Sequence, residues 1–140
     1  MDWQKEKCVL LIDEALPLGL IANTAAILGM TLGKKMPEAV GGDAFDANGN
    51  CHLGIIAFPM PILKSSAQAL GELRKKLYAP EFADLTVVDF SDLAQGCKEY
   101  GDFLEKMAAA QGDSLQYLGL AVCGDKKKIN RLTGSLPLLR

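Results

Sequence analysis

The most continuous apolar pattern of the chain covers residues 7–33, where a short apolar run, an acidic turn and a long uncharged segment follow one another. Residues 8–12 are all apolar, which is typical of a strand that is covered on both faces. A helix is predicted from Pro17, a residue that is tolerated at the first helical position, to about Leu32. Because this helix is apolar almost all round, we expect it to be covered on more than one side.

Downstream of this helix, the pattern predicts a β-hairpin. The Asn48-Gly49 dipeptide is a strong signal for a tight turn between two short runs of alternating character. Strands are therefore predicted near residues 43–46 and 52–58. Pro59 ends the second of them, because proline cannot donate a hydrogen bond to a strand ladder.

The rest of the chain alternates helices with strands. Ser65 and Gln68 form a capping box that begins a helix, and Leu70, Leu73 and Leu77 line its buried face. The further predicted elements are a strand at 85–90, a helix from Ser91 to about Ala110 with Tyr100, Leu104, Met107 and Ala108 inward, a strand at 117–123, and a short helix ending at Gly134.

This alternation favours an α/β fold in which crossovers pack on a mostly parallel sheet. The two continuous apolar runs, at residues 8–12 and 117–123, are the candidates for its central strands. No repeat, linker or low-complexity segment divides the 140 residues. We therefore expect a single domain over residues 1–140.

Composition and charge exclude several functional classes. With 49% apolar residues, 23% charged residues and a net charge of −2, the chain resembles neither a disordered protein nor a basic nucleic-acid binder. RNA is therefore not an expected partner. The uncharged run at residues 15–33 approaches the length of a membrane span, but Pro17, Asn23 and Thr24 interrupt it, which favours a soluble interior helix.

The cysteine pattern is that of an intracellular protein. Cys8, Cys51, Cys97 and Cys123 show no Cys-x-x-Cys spacing, and with His52 as the single histidine the chain offers too few ligands for a zinc site. Cys8 and Cys123 lie inside predicted strands as small apolar residues. This usage, and a charged N-terminus without a signal-peptide pattern, predict a cytoplasmic location.

Polar residues follow several predicted strands, which is where ligands bind in open α/β sheets. Asp13 and Glu14 follow the first strand, Ser91 follows the strand at 85–90, and residues 124–128 follow the last. The lysines of that last segment stand at a helix start, where a bound anion would compensate their unfavourable position. The favoured alternative is a solvated charged face that Asp125 caps.

Three polar residues nearer the N-terminus have open interpretations. Asn23 and Thr24 either line a cleft or bond to the backbone of a neighbour. His52 is a candidate general base, although a structural or exposed role is favoured because no carboxylate is evidently placed beside it. With no Ser-His-Asp order, Gly-rich phosphate fingerprint or metal cluster, neither a cofactor nor a metal is predicted.

Both ends of the chain resemble the type-2 peptidyl-tRNA hydrolases. Residues 118–139 form an apolar strand, a glycine turn and a short helix closing in Thr-Gly-x-Leu, and residues 7–26 match the opening strand, turn and alanine-rich helix of that family. The Pro-x-Gly-x-x-Ala-Asn motif at 17–23, with Asp46, Gly49, His52 and Pro59, resembles a bacterial relative, the domain-of-unknown-function family numbered two thousand. The resemblance implies a three-layer α/β/α homodimer around a small mixed sheet.

The chemistry of the hydrolases is mostly unmatched. Their lysine in the turn before the first helix has no counterpart near Leu20, and on that helix, where they have Gln and His, this chain has Asn23, Thr24 and Ala26. The aspartate of their closing helix is Asn130, although Thr133 matches. Losing the lysine removes a charge that could polarise an ester carbonyl, so peptidyl-tRNA hydrolysis is not expected.

The leading hypothesis is therefore a cytoplasmic, dimeric protein of this fold that binds a small or anionic ligand. Its candidate ligand-binding residues are Asp13, Asn23, Thr24, His52, Asn130 and Thr133. One alternative is a hydrolase of an ester or amide with His52 or Asp13 as base and Thr133 nearby. Another is a structural protein whose first helix forms the dimer seam, which Ala25→Arg would break.

Overall fold

The computed structural model describes residues 2–140. Its main sheet has four strands in the order β4-β1-β6-β5, and a separate two-stranded hairpin is formed by β2 and β3. The elements are β1 (Glu6–Asp13), α1 (Leu18–Lys35), β2 (Ala44–Phe45), β3 (Cys51–His52), β4 (Ile62–Ser65), α2 (Ala67–Lys76), β5 (Thr86–Ser91), α3 (Asp92–Gln95), α4 (Tyr100–Ala109), β6 (Tyr117–Asp125) and α5 (Lys126–Thr133), with 3-10 turns at Pro37–Ala39, Pro80–Phe82 and Gly112–Ser114.

The main sheet is mixed and mostly antiparallel. β4 is parallel to β1, whereas β6 runs antiparallel to both of its neighbours, β1 and β5. The α/β class is confirmed, but the expectation of a mostly parallel sheet is wrong. A strand buried on both faces has the same continuous apolar pattern in either direction, so the run in β6 carried no information about its orientation.

Helices cover both faces of this sheet and make a three-layer arrangement. α1 packs on one face, and α2 and α5 pack on the other. Alternate residues of the central strands therefore enter two different cores. The first core contains Cys8, Leu10, Ala121, Leu28 and Leu32, and the second contains Val9, Leu11, Val122, Leu70, Leu77 and Ile129.

Two helices leave more apolar surface exposed than the sequence predicted. Thr24, Leu28 and Leu32 of α1 face the sheet, but Leu18 and Met30 are 81% and 82% exposed on its other side. α1 is thus covered on one side. None of the helices in residues 2–140 is long and apolar enough to cross a membrane.

The second of these helices is α4. Of the four residues predicted to point inward, Tyr100, Leu104 and Ala108 are exposed and Met107 is half-buried. The main contacts of α4 are with α3, and the exposure of these side chains shows that the inward placement is wrong. The predicted separation of the first turn is confirmed, because α3 ends at Gln95 and α4 starts at Tyr100.

The hairpin after α1 is confirmed, with shorter strands than predicted. β2 and β3 pair over two residues each, and the turn between them contains Gly49 at φ 82°, a conformation that glycine adopts without strain. The second strand ends at His52 instead of Phe58. Most residues of this segment are polar or exposed, so few apolar contacts are available to lengthen the paired strands.

β4 was not predicted, because Pro59 and Pro61 closely precede it and the next residues are assigned to a helix start. Its residues pair with β1 on one side, and Leu63 bridges to Leu138 of the C-terminal segment on the other. Ser65 therefore ends a strand, and Ser66 is the N-cap of α2, accepting a hydrogen bond from the Ala69 N–H. The predicted capping box is wrong, because the residue three positions after Ser66 is Ala69, and the Gln68 side chain bonds to Glu72 instead.

Cys8 and Cys123 form a disulfide, which differs from their interpretation as two separate apolar residues. They are direct neighbours on the antiparallel strands β1 and β6, with their Cα atoms 4.1 Å apart. No local pattern indicates this pairing, because 115 residues separate the two cysteines and only the strand register brings them together. Cys51 and Cys97 are free thiols.

Candidate functional site

The end of the sheet at which β1, β4 and β5 finish is also the end at which β6 begins. Asp13 pairs with Ser65, and Ser91 pairs with Tyr117, so these residues share one edge. α1, α2 and α3 start beside it. Residues 124–128 lie at the opposite end, because β6 runs the other way. The polar residues that were expected together at one ligand site therefore lie at two opposite ends of the sheet.

The candidate residues near α1 have different environments. Asp13 is buried, and its Oδ1 accepts a hydrogen bond from the Ala15 N–H at 3.0 Å. Asn23 is exposed, and its Nδ2 lies 3.5 Å from Oε1 of Gln95 on α3. Thr24 is completely buried, and its hydroxyl donates to the carbonyl one turn earlier at 2.7 Å. Thr24 is a core residue, whereas Asp13 and Asn23 lie at the sheet edge.

The other three candidates are engaged elsewhere. His52, on the hairpin, places Nε2 2.9 Å from Oδ2 of Asp46. Asn130 accepts a hydrogen bond from Nζ of Lys7 at 2.9 Å. Thr133 is buried and donates to a backbone carbonyl of its own helix at 2.8 Å. Because α5 and α1 cover opposite faces of the sheet, the six predicted residues do not surround one cleft.

The carboxylate beside His52 organises the hairpin turn. Asp46 Oδ1 accepts hydrogen bonds from the backbone N–H groups of Asn48 and Asn50. The His52 contact and these backbone bonds lower the pKa of Asp46 below its usual value, because each favours the ionised carboxylate. The His52–Asp46 pair is exposed to solvent, and the contacts of Asp46 stabilise the hairpin turn.

The lysine-rich start of α5 has protein partners of its own. Asp125 caps the helix by accepting a hydrogen bond from the Lys128 N–H at 2.9 Å, as the favoured interpretation predicted. Lys128 Nζ lies 2.7 Å from both Asp84 Oδ1 and the Glu81 carbonyl oxygen. This contact lowers the pKa of the Asp84 carboxyl. An anion is not needed to balance Lys128.

A cleft of about 460 Å³ lies along α2, between that helix and residues 112–117. We call it the tyrosine cleft. Its volume is within the range of about 300 to 1,000 Å³ that is typical of small-molecule sites. The cleft is lined by Ala67, Gln68, Gly71, Glu72, Lys75, Tyr78, Gly112, Asp113, Leu115 and Tyr117.

Tyr117 is the most buried polar group of the cleft. It starts β6 and packs in the core under α2, and although only 5% of it is exposed, it lines the cleft wall. Burial, and then the negative charge of Asp89, raise the pKa of its phenol above 10.0. The hydroxyl group is therefore neutral at pH 7 and is able both to donate and to accept a hydrogen bond.

A partly buried ion pair supports the wall that contains Tyr78. Arg74 Nε donates to Asp89 Oδ2 at 2.8 Å, and both side chains are largely shielded from solvent. The Arg74 guanidinium group also lies 4.0 Å from the centre of the Tyr78 ring, within the range of a cation–π contact. Arg74 thereby connects β5 to Tyr78, which restrains the aromatic ring beside the cleft.

The rim of the cleft carries mixed charge with an excess of carboxylates. Gln68 Nε2 donates to Glu72 Oε1 at 3.3 Å along α2. Lys75 Nζ lies 3.8 Å from Asp113 Oδ1 across the cleft, and both side chains are highly exposed, so this contact is weak. Two carboxylates and one ammonium group line the site, a charge balance that disfavours an anionic ligand.

The sequence interpretation missed this site. The apolar pattern places Tyr117 in a continuous core strand, and the leucines of α2 predict only its buried face. A signal was available in the polar residues Gln68, Glu72 and Lys75, which recur at helical spacing beside Gly71. The other wall, residues 112–117, lies about forty residues further along the chain, so its proximity depends on the fold.

Comparisons with known proteins agree on the fold and leave the chemistry open. Residues 6–140 match the sequence family described as "Protein of unknown function (DUF2000)". The structure is similar to that of a protein of unknown function, Atu0240, from Agrobacterium tumefaciens strain C58, with 16% identity and a TM-score of 0.85 over 96% of this chain and 97% of that one. A comparison with curated proteins gives no match.

Proposed function

Because the chain belongs to the family described as "Protein of unknown function (DUF2000)", for which no activity is stated, we propose a function from the geometry: the protein binds a small molecule in the tyrosine cleft. The observation that carries this proposal is Tyr117, a buried phenol that borders an open cleft of suitable size. An apolar cleft with a few fixed polar groups is the usual form of a small-molecule site.

The walls favour a ligand with a flat or apolar body. Gly71 and Ala67 expose a smooth helix surface, and Leu115 with the two tyrosine rings supplies apolar area on the other sides. Tyr117 and Gln68 line the cleft and carry groups that are able to fix the orientation of a ligand through hydrogen bonds. The carboxylates of Glu72 and Asp113 favour a neutral or cationic ligand over an anionic one.

The test is a screen of small aromatic fragments by protein-observed NMR, with neutral, amine-bearing and carboxylate-bearing members. We expect neutral and amine-bearing fragments to shift the signals of Gly71, Tyr78 and Tyr117. Gly71→Leu projects a side chain into the cleft from a position where the added Cβ meets nothing within 4 Å, and should abolish these shifts. Gly101→Leu is the matched control, because Gly101 is equally open, is helical and lies outside the cleft.

Two results would contradict the proposal. One is a screen in which no fragment shifts signals of the cleft residues. The other is a set of fragments that bind Gly71→Leu and Gly101→Leu equally well. Tyr117→Phe separates shape from hydrogen bonding, because it keeps the ring and removes the hydroxyl group. We expect it to weaken binding by about tenfold, the loss of one hydrogen bond of about 1.4 kcal/mol.

We also propose that the fold is that of the type-2 peptidyl-tRNA hydrolases without their hydrolytic activity. The support is the closing segment, in which α5 directly follows β6, the strand-to-helix order that the sequence resemblance implies. Gly124, the penultimate residue of β6, has a positive φ of 144°. Leu20 and its neighbours provide no lysine beside the start of α1. A peptidyl-tRNA hydrolysis assay with the purified protein should therefore show no turnover above the uncatalysed rate.

The three residues proposed for hydrolysis of another ester or amide do not lie together in the structure. His52 bonds to Asp46 within the hairpin, and Thr133 is buried with its hydroxyl donated to its own helix. Asp13 lies at the sheet edge, on neither of these elements. A general base needs to reach the proton that it removes, and these three side chains offer no common place for a substrate.

A further inference from the structure

The outer face of α1 is an exposed apolar stripe on a helix that otherwise packs on the sheet. Leu18, Ala22, Ala26 and Met30 succeed one another every four residues and are all exposed, with Leu18 81% and Met30 82% accessible. Such spacing places them on one side of the helix. Large apolar residues at both ends and small ones between them are unusual for a face that meets only water.

The sequence of this face is nearly the same in both directions. Residues 18–30 read LGLIANTAAILGM, in which residues at equal distance from position 24 are similar in size, except for Asn23 and Ala25. Ala22 mirrors Ala26, and Leu18 mirrors Met30. When two such helices cross antiparallel about a two-fold axis, Leu18 meets Met30 of the second copy, and the alanines allow the backbones to approach closely. This is the self-complementarity that a two-fold interface requires.

The charges at the two ends of α1 fit the same arrangement. Glu14 is exposed in the turn before the helix, and Lys34 and Lys35 lie in its last turn. An antiparallel pair places Glu14 of each copy near Lys34 of the other, and positions 14 and 34 are also symmetric about position 24. A parallel pair would place like charges together. The antiparallel arrangement also brings opposite ends of the two helix dipoles together.

Apolar surface continues on both sides of the stripe near Met30. On one side a small cavity is bordered by Gly29, Gly33 and Met60, and on the other a larger cleft is bordered by Ile27 and Phe103. The end of α1 that would receive Leu18 of a second copy is therefore flanked by apolar side chains, and Asp89, Lys98 and Glu99 also line the larger cleft. The interface would extend beyond the two helices themselves.

We infer that the partner of this face is a second copy of the chain, which forms an antiparallel, two-fold homodimer centred between Ala22 and Ala26. The inference does not depend on the tyrosine cleft, which lies on the opposite side of the sheet along α2. The sequence-based choice of Ala25 as the seam is replaced, because Ala25 packs against the core. Ala26 is the corresponding exposed position.

The first test is sedimentation equilibrium of the full chain over micromolar to submillimolar concentrations. The wild type should be a dimer. Ala26→Glu introduces a charge at the centre of the seam and should weaken association at least about tenfold. Ala69→Glu, at an exposed alanine of α2, is the matched control and should leave it unchanged. Circular dichroism and thermal unfolding establish that both variants are folded.

The second test determines the orientation of the two helices. At low salt, Glu14→Lys and Lys34→Glu should each weaken the dimer, because each brings like charges together. The double variant Glu14→Lys/Lys34→Glu should regain much of the lost affinity, since the attraction is reversed rather than removed.

Three results would overturn the inference. A wild type that is monomeric over the whole concentration range excludes the dimer. Equal association of Ala26→Glu and Ala69→Glu places any dimer contact elsewhere on the molecule. Failure of the double charge variant to recover affinity relative to both single variants rejects the antiparallel register.

Discussion

The methyl group of Thr24 occupies the space beside Gly119. A Cβ atom at Gly119 would lie 2.7 Å from Thr24 Cγ2, and 3.1 Å from both Leu11 O and Leu28 Cδ1. Thr24 is fully buried and bonds to the backbone of α1, so it has little freedom to move away. The residue that the sequence suggested for a ligand site is thus part of the contact between α1 and β6.

Gly119→Ala should therefore destabilise the protein, because the added methyl group overpacks the interface between α1 and the sheet. We expect a loss of about 1–3 kcal/mol in the free energy of unfolding, measured by urea denaturation. Thr24→Ser removes Cγ2 and should recover part of this loss in the double variant, since the two changes are coupled. Strictly additive losses would contradict the contact. Gly101→Ala, at an open helical position, is the control and should not destabilise.

The disulfide between Cys8 and Cys123 predicts a specific thiol count. The unfolded protein without reductant should expose two reactive thiols, those of Cys51 and Cys97, and the reduced protein should expose four. Because the bond closes most of the chain into a loop, Cys8→Ala/Cys123→Ala should lower the free energy of unfolding by about 2–4 kcal/mol relative to the oxidised protein. Four reactive thiols before reduction would show that the bond is absent in solution.

The start of α5 depends on the cap that Asp125 provides. Asp125→Ala removes the acceptor of the Lys128 N–H bond and should cost about 1 kcal/mol in the free energy of unfolding. Asp125→Asn keeps a side-chain oxygen at the same place and should retain most of the stability. Equal effects of the two substitutions in chemical denaturation would show that the charge of Asp125 matters more than its hydrogen bond.

The parts of the fold that could be predicted are those with a local cause. β1, α1 and α5 follow from apolar periodicity and helix signals within a few turns, and the hairpin follows from its Asn48-Gly49 turn. β4 escaped prediction because its four residues are defined by pairing with β1 and with the C-terminal segment. The direction of β6 also depends on which strands it meets, a property that its own apolar residues do not encode.

The candidate site was harder to predict than the fold, for a physical reason. Polar residues such as Thr24 and Thr133 look available in a sequence, yet each satisfies its hydroxyl group inside its own helix. Tyr117 shows the reverse case. Its strand has the apolar pattern of a core strand, but its side chain borders a cleft. Whether a polar atom faces a neighbour or an opening is decided by tertiary packing.

The raised pKa of Tyr117 predicts how stability changes at alkaline pH. Burial, and then the charge of Asp89, disfavour the phenolate in the folded protein, so its folded pKa lies above the unfolded value near 10.0. Below that unfolded pKa both states keep the proton, and Tyr117 adds no pH dependence. Above it, the unfolded chain loses the proton while the folded protein retains it, so stability falls as the pH rises towards the folded pKa.

Two measurements check this prediction. The difference in absorbance at 295 nm between the wild type and Tyr117→Phe isolates the ionisation of this phenol, and its midpoint should lie above pH 10.0. The free energy of unfolding should fall more steeply above that pH for the wild type than for Tyr117→Phe, which has no proton to lose. A midpoint at or below pH 10.0 would show that solvent reaches the hydroxyl group freely, and would contradict the buried position of Tyr117 in the cleft wall.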